Sequence, residues 1–379
     1  MRNLLGYFKS IGFLFVLSML LTSWGGKSQK MVVVKNPSDF DRFELISIPY
    51  NDFINLIDAK APFKIVNKEN NIEYLYQLET LGKKKPINIL IQVLVPASQE
   101  IHLIVKKGKP SPINSKTFAR YVPERFDDFA WENDVIAYRM YGKALEGRSD
   151  DAQGMDIWVK KTENLVIDKW YKTEDYHKDH GEGLDYYSVG QTLGAGDVAA
   201  YSEGTLYYSK HYRNYAILDN GPLRTTFRLE FEQWKVKDTA IKLNKTVSID
   251  AGAQLNRVVL DFDFDGDDKL TIAAGIAKRK QPGQVFDNHR QGVFAYWEPE
   301  HGDDGITGVG LIFNNPIDSI KIEKDQYLAL FQAKSDDPVE YFTGGVWNKA
   351  GKIKSADDWF RYLQRQKLIL KNPLEIKIY

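Results

Sequence analysis

The chain reads as an all-β protein, a large antiparallel β-sandwich of supersandwich-like build with few short helices. Three observations predict this. From residue 31 onward the hydrophobic pattern is mostly of period two. The runs are rich in β-branched and aromatic residues, and clusters of Gly, Pro, Asn or Lys bound them. At 379 residues, 43% hydrophobic and 13% aromatic, the chain has apolar surface enough for a large core and is not a disordered segment.

Residues 1–28 have the layout of a secretory signal peptide. Arg2 and Lys9 form a positive n-region, Ile11 to Leu21 an apolar run, and small and polar residues follow from Thr22 to Ser28. The run is too short for a permanent membrane span, so export is expected, to the periplasm first and to the outside medium as the alternative. Loss of Arg2, Lys9 and Lys27 would leave a mildly acidic mature chain. Residues 29–379 read as one β-sandwich catalytic domain, with 31–106 a candidate N-terminal lobe closed by the Lys- and Pro-rich stretch Lys106 to Pro112.

The expected strands are 43–48, 72–78, 87–95, 101–105, 204–218, 222–235, 244–250, 255–264, 269–278, 291–298 and 306–314. One helix is predicted, from Ser355 to Gln366, with Ser355 as N-cap and Asp357 and Asp358 in its first turn. The run Asp261 to Asp268 begins like a calcium-binding EF-hand loop. Ile272 stands where that loop needs a bidentate Glu, so the run is read as a half-buried strand entering a hairpin turn.

Several function classes drop out. The 51 basic and 51 acidic residues cancel, so nucleic acid has no electrostatic footprint here. With no cysteine, thiolate metal sites, cysteine nucleophiles and lipid attachment after the signal segment are excluded. There is no G-x-S-x-G elbow, no P-loop and no dinucleotide fingerprint.

Between Tyr121 and Gly196 polar and aromatic residues crowd together on what reads as loop spacing. His177 and His180 lie beside Asp179, Glu182 and Asp185, with Gly181 and Gly183 between them. Such polar density is expensive to bury unless something uses it. Aromatic rings that stack on sugar faces, interleaved with groups that bind hydroxyls, suit a carbohydrate site. The HxxH spacing leaves three readings open: ligands of a divalent metal with Asp185 or Glu182, acid–base or substrate-binding residues, and plain surface loop. Apart from that metal, no cofactor is predicted. A second polar cluster, Asp287 to Gly292, enters the next strand, where His289 and Arg290 would point to opposite faces.

Several strings resemble the domain-of-unknown-function family 4861, exported proteins of bacterial polysaccharide-utilisation loci. They are W-E-N-D at 131–134 with Tyr138 to Gly142, G-M-D-I-W at 154–158, Y-H-K-D-H-G-E-G-L-D-Y-Y at 176–187, N-G-P-L-R at 220–224 and G-V-W-N-K-A-G at 345–351 with Trp359. The resemblance covers nearly the whole mature chain. It implies a carbohydrate-active dehydratase that removes water from the non-reducing-end uronic acid of ulvan-type oligosaccharides and leaves a 4,5-unsaturated end. A polysaccharide or oligosaccharide lyase and a non-catalytic glycan-binding protein are the alternatives.

Such an elimination needs a base for the C5 proton, an acid for the departing C4 hydroxyl and a cation or hydrogen-bond donors for the uronate carboxylate. The candidates for proton transfer are His177 and His180 with Tyr176. Arg139, Arg224 and Arg290 are candidates for the carboxylate, and Glu132 and Asn133 for reading hydroxyls. Trp131 or Trp297 would supply a stacking face, and Asp185 and His289 complete the predicted substrate-binding set.

Overall fold

The computed structural model describes residues 30–57, 61–173, 175–265 and 269–379. The signal segment 1–28 and Gly266 to Asp268 of the Asp-rich run lie outside them. The chain is mostly β, 50% strand and 11% helix. The expectation of one large sandwich does not hold, because the strands of the described residues fall into five separate sheets.

Residues 32–107 form two of them. Val32–Lys35, Glu100–Lys107, Phe63–Asn67 and Glu73–Tyr74 make one, and Arg42–Pro49, Asn88–Val95 and Tyr76–Glu79 the other. Their shared core holds Val34, Ile48, Ile65, Ile91 and Leu103. The C-terminal strand Glu375–Ile378 returns to pair with Val32–Lys35, so both ends of the described chain meet in this lobe.

The rest of the chain is organised around a long antiparallel sheet. It runs from Tyr212–Asn220 at one edge through Arg224–Phe231, Thr239–Asp250, Leu255–Phe264, Val339–Trp347, Thr307–Phe313 and Val293–Trp297 to Gln284–Asn288 at the other; Trp234–Val236 pairs with Thr239–Asp250. Two five-stranded sheets share its core. One, here the site sheet, contains Gly183–Leu184, Met155–Lys160, Ile136–Met140, Asp128–Asn133 and Thr117–Val122. The other contains Thr205–Tyr207, Ala195–Ser202, Leu270–Ala277, Gln326–Ala333 and Ser319–Ile322. Phe129, Trp131, Tyr138, Ile157, Phe227, Val258, Ile272, Leu311 and Tyr341 fill the space between them.

Two local readings need correction. Leu255–Phe264 and Leu270–Ala277 belong to different sheets, so the two strands do not pair as a hairpin, although Leu260, Phe262 and Phe264 are buried as the alternation required. The polar middle segment is also not all loop; Trp131 to Asn133 of W-E-N-D and Met155 to Trp158 of G-M-D-I-W lie in strands of the site sheet. Two glycines let that sheet close against its neighbour. A Cβ on Gly154 would stand 2.3 Å from the carbonyl carbon of Leu193, and one on Gly194 2.1 Å from Met155 O.

The predicted helix forms from Ala356 to Lys371, with Ser355 Oγ accepting from Asp358 N at 3.2 Å. Its Trp359 and Leu363 pack with Val293, Ala295 and Trp297 on the long sheet. Among the described residues no helix is long and apolar enough to cross a membrane.

Candidate functional site

Strand alternation gives the site sheet two unlike faces. Phe129, Trp131, Tyr138, Ile157 and Val159 enter the common core, whereas Ala130, Ala137 and Trp158 join Val166, Ile167, Trp170 and Tyr176 in a separate cluster on the other side. Asp128, Glu132, Arg139, Asp156 and Lys160 share the register of that second face. The segment after Lys160 folds over it, so these charges are buried.

Arg139 is the centre of the larger cluster. Its Nε and Nη2 donate to Asp156 Oδ2 at 3.0 and 2.5 Å, and Nη2 also donates to Asp185 Oδ2 at 3.2 Å. Nη1 lies 3.6 Å from Asp128 Oδ2. The guanidinium sits against the rings of Tyr141 and Trp158, at 4.8 and 5.4 Å from their centroids. Three buried carboxylates therefore share one guanidinium. Burial pushes Asp128 up to about 7 against the pull of Arg139. Burial also raises Asp156, and burial together with the Asp156 charge raises Asp185 well above the carboxylate range. Asp128 Oδ1 is buried with no hydrogen-bond partner among the described residues. Burial, opposed by the Arg139 charge, thus holds all three carboxylates above their ordinary range.

His177 links the cluster to solvent. Its Nδ1 is 2.8 Å from the Asp185 carbonyl oxygen and 3.6 Å from Asp185 Oδ2. A carbonyl can only accept, so Nδ1 carries the proton, and in the neutral ring Nε2 keeps its lone pair. The side chain is 57% exposed. The ring lies 4.5 Å from that of Tyr176, which in turn stacks on Trp158 at 5.1 Å. Buried aromatic packing and a backbone acceptor thus fix an exposed imidazole.

Two further groups reach this region. Burial raises the Tyr141 hydroxyl far above its ordinary range, so it keeps its proton, and it accepts from Arg139 Nη2 at 3.4 Å. Arg125 lies in the turn before Asp128, where Phe126 and Asp127 adopt φ of 51° and 62°. Its charge opposes the rise of both Asp128 and Asp185. Its guanidinium packs on the Phe126 ring at 5.2 Å and makes no ion pair among the described residues.

A second buried ion pair lies on the same face. Lys160 Nζ donates to Glu132 Oε2 and Asn133 O, both at 2.7 Å. The Glu132 carboxylate also accepts from Val166 N and Ile167 N at 2.8 to 2.9 Å. One acid meets one base, and both side chains are fully buried.

A family model described as "Domain of unknown function (DUF4861)" matches residues 34–376. This chain belongs to the DUF4861 family. It is 29% identical over 374 residues to "Uncharacterized protein P7" of Formosa agariphila, covering 92% of this chain and 93% of that one. Among solved structures it is similar to a protein in glycosyl hydrolase family 38 from Enterococcus faecalis, with a TM-score of 0.52 and 8% identity over 92% of this chain. An alpha-mannosidase from Enterococcus faecalis V583 matches with a TM-score of 0.51, again at 8% identity and 92% coverage. The DUF4861 chain spans about half the length of these two structures, 47% and 46%. Neither is an all-β protein, which also counts against the all-β sandwich as the description of this fold.

Of the predicted site residues, the DUF4861 fold brings together Arg139, Tyr176, His177 and Asp185. It engages the others elsewhere. Arg139 is itself held by three carboxylates, so it is not free to take a substrate carboxylate. Trp131 is fully buried against Tyr138 and Phe227, with Nε1 donating to Asn256 Oδ1 at 2.8 Å, and offers no face to a sugar. Trp297 is likewise buried, under the C-terminal helix. Glu132 is consumed by Lys160 and two amides. Asn133 joins backbone segments: its Nδ2 donates to Asp250 O and Ala253 O, and its Oδ1 accepts from Val135 N and Ile136 N.

Arg224 is clamped by Asp250 at 2.5 and 2.8 Å and by Glu79 at 3.3 Å, where the N-terminal lobe meets the long sheet. His180 is exposed and bonded to Asp175 O at 3.2 Å. His289 and Arg290 lie in a short 3-10 turn, not on a strand, at the far edge of the long sheet; His289 Nδ1 is 2.7 Å from Asp287 Oδ1. Among the described residues no group of three or more His, Asp or Glu side chains is arranged to hold a metal ion. Asp128, Asp156, Tyr141 and Arg125 had not been singled out. The signal for the first two was present: a lone carboxylate alternating with large apolar residues on a strand.

Proposed function

We propose that this chain is a carbohydrate-active enzyme whose reaction turns on proton transfer at His177. More finely, it dehydrates the non-reducing-end uronic acid of an ulvan-type oligosaccharide. The observation that carries this reading is the exposed His177 imidazole held by the Asp185 carbonyl above a buried carboxylate cluster. The carbohydrate class is supported by the likeness in fold to the glycosyl hydrolase family 38 protein and the alpha-mannosidase. Export to the periplasm is part of the proposal and rests on the N-terminal segment.

In this reading His177 Nε2 removes the C5 proton. The electron pair forms the C4–C5 double bond as the C4–O bond breaks. Tyr141, whose burial keeps its proton in place, donates it to the departing hydroxyl, which leaves as water. Arg125 takes the role for which Arg139, Arg224 and Arg290 were the candidates and holds the uronate carboxylate as charge builds on it. Arg139, Asp156 and Asp185 position His177 and Tyr141.

The test is mass spectrometry of ulvan-derived oligosaccharides with saturated uronate ends, incubated with the protein after chelator dialysis. The expected result is loss of one water with chain length unchanged and new absorbance from the double bond. Shorter unsaturated products would replace the dehydratase by a lyase. Shorter saturated products would mean a hydrolase, and unchanged mass would overturn the enzymatic reading.

A further inference from the structure

Outside the His177 site, a cavity of about 370 Å³ opens beside the edge strand Tyr212–Asn220. Its walls are Glu146, Asp151, Gln153, Gln191, Tyr208 and the residues Ser209 to His211. The first three come from the loop joining strands Ile136–Met140 and Met155–Lys160, which carry Arg139 and Asp156. The volume is in the range of small-molecule sites.

His211 is the unusual wall residue. It is only 5% exposed, yet it is a polar ring lining an open cavity. Its Nε2 is 2.7 Å from Asp151 Oδ1. A carboxylate accepts, so Nε2 donates, and Nδ1 is left without a partner among the described residues. Asp151 is held in turn by Gly147 N at 3.3 Å and Gln153 Nε2 at 3.3 Å. This is a built dyad rather than a chance surface pair.

The charged groups around the cavity are already engaged. Glu146 accepts from Arg213 at 2.8 and 3.2 Å, Lys210 lies 3.8 Å from Glu232, and the Asp151 carboxylate accepts from His211, Gly147 and Gln153. An anion entering here would find no unpaired cation among the residues that line the cavity, and a cation would find Asp151 already held by three donors. What the cavity offers is His211 Nδ1, the side-chain oxygens of Gln153 and Gln191 and the second N–H of each of those amides; the first N–H of each is held by Asp151, and the Tyr208 hydroxyl is bonded to Gln191 O and Gln326 Nε2. Vicinal hydroxyls, each both donor and acceptor, complement such a set.

We propose that the His211 cavity is a binding site for one neutral pyranose unit of a glycan, separate from the proton-transfer site. The inference rests on the cavity's own chemistry and not on the reaction assigned to His177. The test is nitrogen NMR of the imidazole resonances in the full chain, titrated with methyl β-D-glucopyranoside, methyl β-D-xylopyranoside, sodium acetate and calcium chloride. A saturable shift of the His211 nitrogens with either glycoside, and none with acetate or calcium, is expected.

Gln153→Leu and Gln191→Leu, at the cavity rim, should each weaken that binding about tenfold while His177→Gln leaves it unchanged. His211→Gln should abolish it; should that variant not fold, the two rim variants carry the test. No shift with either glycoside, a shift with acetate or calcium instead, or rim variants that bind as the parent does would overturn the proposal. Because binding is read without turnover, its failure is distinct from failure of the dehydratase reading.

Discussion

The Arg139 cluster and the Lys160–Glu132 pair lie on the same face of the same sheet, under the same covering segment, and they are built to opposite rules. Lys160 and Glu132 are matched one to one, and the Glu132 carboxylate is further satisfied by two backbone amides. Nothing is left over, and both side chains are sealed from solvent. Around Arg139 three carboxylates share one guanidinium, one carboxylate oxygen has no partner among the described residues, and an exposed histidine leads outward. Burying charge is costly, so a balanced pair is what stability alone requires. The excess at Arg139 costs stability, and in the proposed function it is what proton transfer at His177 draws on.

The largest effect should come from unbalancing the balanced pair. Lys160→Met leaves Glu132 buried without its cation and should destabilise the fold by about 3–5 kcal/mol, read by denaturant unfolding. Adding Glu132→Gln should restore part of that loss, since a neutral amide no longer needs the cation. A single variant as stable as the parent would erase the contrast between the two clusters.

The next effect sharpens the contrast through pH. Asp128 has its folded value raised to about 7, above the ~3.9 of an unfolded carboxyl, so the folded state binds the extra proton between those values. Its contribution to stability is complete below about pH 4, falls as pH rises toward 7 and is gone above. Asp128→Asn should remove that part of the slope, by a few kcal/mol across the window. A parent profile that the substitution leaves unchanged would mean that Asp128 is ionised throughout.

The smallest effect is expected far from both clusters. His289→Ala and Arg290→Ala, in an exposed turn at the edge of the long sheet, should each change stability by no more than about 0.5 kcal/mol and leave water loss from the oligosaccharide unaltered. A clear loss of activity in either would move the site to that edge.

Much of this was legible in the chain. Period-two alternation located Leu255–Phe264 and its buried Leu260, Phe262 and Phe264, and the Ser355 cap located the C-terminal helix, which runs on to Lys371. Alternation is local, however, and does not say which strands pair; five sheets and one give the same pattern. In the polar middle segment the same rule was obscured, because strands such as Asp128–Asn133 are buried on both faces and carry charges on one of them. The candidates read from the strings included Arg139, Tyr176, His177 and Asp185, but set them beside His180, Arg224 and Arg290, which the fold places elsewhere. The strings could not show that Arg139 is already engaged, nor that Trp131 is core, since both facts depend on partners distant in sequence, such as Asp185 and Asn256.

The central claim is that the unbalanced cluster serves proton transfer through His177. It is tested most directly by comparing His177→Gln with the parent chain for water loss from saturated uronate-ended oligosaccharides, with thermal unfolding measured on the same samples. The account predicts a rate reduced by about 10²–10⁴-fold and a melting temperature essentially unchanged, because the side chain is exposed and packs on one face only. A rate within a few-fold of the parent, or a rate loss that merely follows a large drop in melting temperature, would contradict it.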